Sequence, residues 1–216
     1  MNFSETILIV AHLPVLLTVA YAALLYKKLG KVLKVFSWFI FLSGMIQFLS
    51  LGCWFASKNN MPLLHLYVAA GFVCLAWFYA TLLKGFINTR IIWSVAVLFL
   101  LFTTLNSLFI QDIFTFNSYA LTIESILIII LALFTYMFFL NDFVKETRGH
   151  DIKSLNWINS GLFIYYSSSL LIFYFGAGII RAFPRTLNLQ TWVLHAFFST
   201  VMYTCFLIGL WKRSET

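Results

Sequence analysis

Hydrophobic residues occur in seven long windows along the chain, separated by short polar segments. The windows are apolar on all sides and show no alternation of polar and apolar positions. A helix of about 20 apolar residues crosses a bilayer, whereas barrel strands need about 9–11 alternating residues. The pattern therefore predicts an all-α membrane protein, with one seven-helix bundle over residues 1–216. The predicted spans are Thr6–Tyr26, Val35–Phe55, Leu63–Leu83, Ile91–Ile110, Tyr119–Leu140, Trp157–Ile180 and Thr191–Leu210.

Composition supports the same class of protein. Of the 216 residues, 62% are hydrophobic and 10% are charged, and the mean hydropathy is +0.94. Soluble domains average ~45–50% apolar and ~25% charged residues, so a water-soluble fold of this size could not cover so much apolar surface. Membrane lipids are the expected surroundings. The net charge of +7 is therefore interpreted relative to a bilayer, and nucleic acid is not an expected partner.

The distribution of Lys and Arg predicts the orientation in the membrane. With the N-terminus outside, 11 of the 14 basic residues fall in cytoplasmic segments. The other three, Lys58, Arg181 and Arg185, fall outside. Because cytoplasmic loops carry the excess of Lys and Arg, we expect an outside N-terminus and a cytoplasmic C-terminus. The expected location is the inner (plasma) membrane, as a multi-pass protein.

Four ionisable side chains lie within or near the outer ends of the predicted spans. His12, His65, Glu124 and His195 stand on helices one, three, five and seven, which all begin at the outer surface. At 1.5 Å per residue, His12, Glu124 and His195 lie roughly 6–9 Å below their helix starts, and His65 is nearer the surface. Ionisable groups inside a membrane are candidate functional residues. An isolated buried carboxylate is costly, so Glu124 must be protonated, hydrogen-bonded or paired with an imidazolium.

Polar residues on the remaining helices extend this layer. Gln47 and Asn106 reach a similar level from helices two and four, and Tyr166 and Ser169 on helix six could form its floor. The functional interpretation is a pocket for a small or lipidic ligand in the outer half of the bundle. The structural alternative is that each polar residue hydrogen-bonds a neighbouring helix, with the serines in a packing seam.

No cofactor is predicted, although zinc remains an alternative for this layer. His12, His65, Glu124 and His195 are residue types that bind zinc, but no HxxxH or HExxH spacing places two of them on one helical face. A retinal Schiff base requires a lysine within a span. The seventh window has none, so a retinylidene photoreceptor is not expected.

The chain resembles the seven-helix membrane modules that precede histidine kinase or cyclase domains in bacterial sensors. The resemblance comprises the topology, the short loops and a last helix that runs from Trp192-Val193-Leu194-His195 to Gly209-Leu210-Trp211-Lys212. It implies a sensor or receptor-like protein. No output domain is present in this sequence, so we expect a separate cytoplasmic signalling partner at Asn141–Asn156 and Trp211–Thr216, unless the chain is a fragment.

Two functions from other classes remain open at this point. The first is a membrane-embedded, metal-dependent hydrolase acting on lipid, in which Glu124 and the histidines activate water. The second is a proton-coupled transporter in which Glu124 carries the proton. The sensor hypothesis does not require the protein to be an enzyme.

Overall fold

The computed structural model is an all-α bundle. It describes the backbone of residues 6–7 and 10–214, and the side chains of residues 6–7, 10–141, 152–184 and 186–213. Within that part of the chain there are seven α-helices and no β-strand. The helices are α1 (Leu13–Leu25), α2 (Lys31–Phe55), α3 (Met61–Leu82), α4 (Thr89–Leu105), α5 (Ser118–Leu140), α6 (Asp142–Ala182) and α7 (Arg185–Ser214).

Six of these helices, α2 to α7, are long and apolar enough to cross a membrane. The prediction of an all-α, multi-pass membrane protein is therefore confirmed. Helix α1 has 13 residues, fewer than the ~20 that a span needs. It begins after a turn at Ala11 and His12, and Pro14 stands in its first turn, where the missing N–H of proline costs no helical hydrogen bond.

The helix ends differ from the predicted spans by several residues in α1, α4, α6 and α7. Helix α1 begins later than predicted, and α7 extends beyond both ends of the predicted span. The last turn of α4 widens into a π-helical segment, Asn106–Ile110. Helix α6 has 41 residues and begins at Asp142, so most of the predicted cytoplasmic loop Asn141–Asn156 is helical. Predictions about the side chains of residues 142–151 lie outside the described residues.

The helices pack as a closed circuit with one helix outside it. Helix α1 packs against α2 and α7, α2 against α3, α3 against α5, α5 against α6, and α6 against α7. Helix α4 packs mainly on the outer side of α3. The circuit encloses the candidate site, and no residue of α4 lines that site.

One half of the interior is filled by aromatic side chains. The ring of Phe36 packs against Phe78 and Phe206 at centroid distances of 5.0 and 4.9 Å, and all three residues are fully buried. In contrast, large apolar side chains on the outer surface are exposed, with Leu24 and Phe109 each 79% accessible. This distribution is typical of a bundle that is surrounded by lipid, because lipid removes the need to bury such residues.

Candidate functional site

A cavity of about 500 Å³ opens between the helices of the circuit. It extends from the α2–α3 connection, at Trp54 and Asn60, to Gln47, which lies about 10 Å deeper at 1.5 Å per residue. The size falls within the range of about 300–1,000 Å³ that is typical of small-molecule sites. The cavity is lined by Ala11, His12, Ile46, Gln47, Ser50, Leu51, Trp54, Asn60, Met61, Leu63, Leu64, Tyr67, Phe116, Leu121, Tyr165, Phe173, Leu189, Trp192, His195, Ala196, Ser199, Met202 and Tyr203.

Hydroxyl and amide groups gather at the deep end of the cavity. Gln47 Nε2 donates a hydrogen bond of 3.3 Å to the Tyr203 hydroxyl, and the hydroxyls of Ser43 and Tyr67 are 3.0 Å apart. These side chains come from α2, α3 and α7. Because a polar group in an apolar interior is costly without a partner, their mutual hydrogen bonds hold the three helices in register and leave a polar surface facing the cavity.

His195 is held by aromatic neighbours on the wall formed by α6 and α7. Its Nε2 shares a hydrogen bond of 2.9 Å with the Tyr165 hydroxyl. Its ring also lies 5.4 Å from Phe173 and 5.7 Å from Trp192, measured between centroids. The hydrogen bond and the two ring contacts fix the orientation of the imidazole, so His195 is a rigid part of the cavity wall.

Glu124 lies behind the wall of the cavity. Its side chain is 1% exposed, and Oε1 accepts a hydrogen bond of 3.3 Å from the Tyr166 hydroxyl. Leu121, one helical turn earlier on α5, lines the cavity, and the rings of Tyr165 and Tyr166 are 5.0 Å apart. Glu124 itself does not line the cavity, whereas its neighbour Leu121 on α5 and Tyr165, the residue beside Tyr166, do.

His65 and Asn106 belong to a different polar cluster. His65 Nδ1 lies 2.7 Å from Ser107 Oγ, and Nε2 lies 3.1 Å from the carbonyl oxygen of Thr115. Asn106 Nδ2 donates to the side-chain oxygen of Asn117 at 2.9 Å. Neither residue lines the cavity. The hydrogen bonds of His65 fasten the connection between α4 and α5 to α3, and that of Asn106 joins the two ends of the connection.

The predicted site residues therefore divide into three groups. His12, Gln47 and His195 line the cavity, while Glu124 and Tyr166 form a hydrogen-bonded pair behind it. Ser169, one turn along α6 from Tyr166, is fully buried, and its hydroxyl has no hydrogen-bond partner among the described residues. His65 and Asn106 form the third group, which holds the connection.

The four residues considered as zinc ligands are not assembled into one site. Within the part of the chain that the structure describes, no three His, Cys, Asp or Glu residues lie close enough to hold a metal ion. Both ring nitrogens of His65 are engaged elsewhere, and the carboxyl of Glu124 is directed to Tyr166.

Three tyrosines that line the cavity were not among the predicted site residues. Tyr67, Tyr165 and Tyr203 line the cavity on three different helices. Their signal in the sequence is a phenol hydroxyl inside an apolar window, which needs a hydrogen-bond partner when it is buried. Comparison with known proteins adds no assignment, because no family model, curated protein or solved structure matches the chain.

Proposed function

We propose that the chain is a seven-span sensor or receptor-like protein that binds a small or lipidic ligand in the cavity. In this proposal, the protein lies in the inner (plasma) membrane, and the residues before α1 complete the first span. The N-terminus is outside the cell and the C-terminus is in the cytoplasm. The cavity then lies in the outer half of the bundle. The observation that carries the proposal is the cavity itself, which is enclosed mainly by apolar side chains and has hydrogen-bonding groups at its deep end.

The shape of the bundle suggests how binding would be communicated. Helices α6 and α7 both line the cavity, and their 41 and 30 residues reach the opposite end of the bundle. Small shifts of packed helices are a common response to a ligand. The expected readout surfaces are Asn141–Asn156 and Trp211–Thr216, where a cytoplasmic signalling protein would bind.

The orientation can be tested by chemical labelling. Lys58 and Lys84 are both exposed, on the connections α2–α3 and α3–α4. In a background without other cysteines, Lys58→Cys should react with a membrane-impermeant maleimide in intact cells. Lys84→Cys should react only after permeabilisation. Labelling of Lys84→Cys alone in intact cells would contradict the proposed orientation.

Ligand binding can be tested by blocking the cavity. Ser199 lines the cavity on α7, whereas Leu194 on the same helix is 50% exposed on the outside of the bundle. Ser199→Phe fills part of the space, and Leu194→Phe is the matched control. We expect mass spectrometry of purified protein in nanodiscs to find a small molecule in the wild type and in Leu194→Phe that is depleted in Ser199→Phe. The same molecules in all three samples would contradict the proposed function.

A further inference from the structure

The wall of the cavity is rich in aromatic rings. Aromatic rings carry negative charge density on their faces and attract a cation within about 6 Å of the ring centroid. Rings are contributed by α2, α3, α6, α7 and the α4–α5 connection, so they surround the cavity on several sides. The rings include those of Trp54, Tyr67, Phe116, Tyr165, Trp192 and Tyr203.

The balance of charge around the cavity is one-sided. The lining includes no Asp, Glu, Lys or Arg. Among the described residues, the charged side chain that interacts electrostatically with the wall residues Tyr67 and Tyr165 is Glu124. The seven predicted spans contain no Lys or Arg near the level of Glu124, and Tyr166 supplies a hydrogen bond but no positive charge. The surroundings therefore hold a buried carboxyl group without a basic partner, and a cation in the cavity would favour its ionised form.

We infer that the cavity binds an organic cation, a molecule with an apolar body and a substituted ammonium group. Such a ligand supplies the positive partner that Glu124 lacks, and their attraction is less screened in the apolar interior of the bundle than in water. The rings of the wall stabilise the same group. An anionic ligand would disfavour ionisation of Glu124 and would meet no Lys or Arg in the lining. The inference names the ligand class for the cavity and so rests on the proposed function.

The two histidines of the lining, His12 and His195, are the other titratable groups that bear on charge selection. As neutral imidazoles they are compatible with a cation. His195 lies between the rings of Tyr165, Phe173 and Trp192, and its Nε2 shares a hydrogen bond with the Tyr165 hydroxyl.

Three probes of matched shape test the inference. Benzyltrimethylammonium is cationic, 2,2-dimethylpropylbenzene is its neutral carbon isostere, and benzylsulfonate is an anion of similar size. Binding to the full chain in nanodiscs is measured by calorimetry and by thermal stabilisation, with empty nanodiscs to correct for partition into lipid. We expect the cation to bind at least tenfold more tightly than the neutral isostere, and we expect no binding of the anion.

Two variants and one control assign the selectivity to named groups. Glu124→Gln keeps the size of the side chain and the acceptor for Tyr166, and should lose most of the preference for the cation. Trp192→Leu removes one ring and should lower the affinity for the cation more than the affinity for the neutral probe. Asp112→Asn removes a negative charge from the exposed α4–α5 connection and should keep the full preference. If Glu124→Gln fails to fold, Trp192→Leu provides the test.

The outcomes separate this inference from the proposed function. Equal binding of the cation and the neutral isostere, or the absence of binding by all three probes, overturns the inference. A cation preference that survives in Glu124→Gln overturns the role of the carboxylate. None of these results bears on the cavity as a ligand site, which fails independently if Ser199→Phe and the wild type carry the same bound molecules.

Discussion

The contact between α6 and α7 depends on a glycine that leaves no room for a side chain. A Cβ atom at Gly161 would lie 2.8 Å from the Cβ of Cys205 and 3.0 Å from the carbonyl oxygen of Met202. Both atoms belong to, or are attached directly to, the backbone of α7, so they cannot move without displacing the helix. Gly161→Ala should therefore push α6 and α7 apart and destabilise the bundle.

The size of this effect follows from comparison with a second glycine on α6. A Cβ atom at Gly178 would meet nothing within 4 Å, so Gly178→Ala has no steric cost. Both variants gain the same helix propensity, about 0.5–1 kcal/mol relative to glycine. Their difference isolates the overpacking cost, which is about 1–3 kcal/mol for one added methyl group in a packed interior. At about 2–4 °C per kcal/mol for a chain of this size, Gly161→Ala should unfold roughly 2–12 °C below Gly178→Ala.

The measurement is thermal unfolding of the purified protein in nanodiscs, followed by tryptophan fluorescence. Gly178→Ala should unfold about 1–4 °C above the wild type, and Gly161→Ala should have the lower Tm of the two alanine variants. Equal Tm values for the two alanine variants would refute the reasoning, because they would show that α6 and α7 are not in close contact at Gly161.

Three further predictions follow from other contacts. His65→Leu removes two hydrogen bonds between elements, each worth about 0.6 kcal/mol in a membrane protein. The Tm should fall while the bound molecule is retained. Loss of the bound molecule would place His65 in the ligand site. Gly176→Ala adds a methyl group against the ring of Phe116, which lines the cavity. The displaced ring should weaken the binding of benzyltrimethylammonium several-fold. An unchanged affinity in calorimetry would show that the ring moves away from the cavity. Asn159→Leu removes the acceptor for the Tyr79 hydroxyl. Thermal unfolding should show a loss of stability of about 0.6–1.7 kcal/mol, and ligand binding should not change. An unchanged Tm would show that this hydrogen bond does not stabilise the bundle.

The sequence predicts the helices well because each window is long and apolar. The predicted span Tyr119–Leu140 differs from α5 by one residue at its start, and Leu63–Leu83 differs from α3 by two residues at its start. Proline and asparagine near these boundaries mark where helices begin, as at Asn88, whose side chain accepts a hydrogen bond from the backbone N–H of Arg90. Local signals of this kind do not depend on the rest of the fold.

The facing direction of each helix is much harder to predict. Depth follows from residue number because the rise per residue is constant, so His65 and His195 are both expected near the outer rim. Only His195 lines the cavity, however, and His65 contacts the α4–α5 connection. The windows are apolar all round, so they carry no polar stripe that shows which face points inward. In lipid, the apolar faces of a helix are also not sorted by the hydrophobic effect.

The tyrosines show why hydropathy alone does not find such a cavity. Phenol side chains count as apolar in a window, yet each hydroxyl requires a partner in a medium without water. Searching the spans for tyrosine would have found Tyr67 and Tyr203, which line the cavity. It would equally have found Tyr79 and Tyr136, which hydrogen-bond to α6 elsewhere in the bundle. For these four tyrosines, the hydroxyl marks a polar contact between helices, and only the packing of the helices decides whether that contact borders an open space.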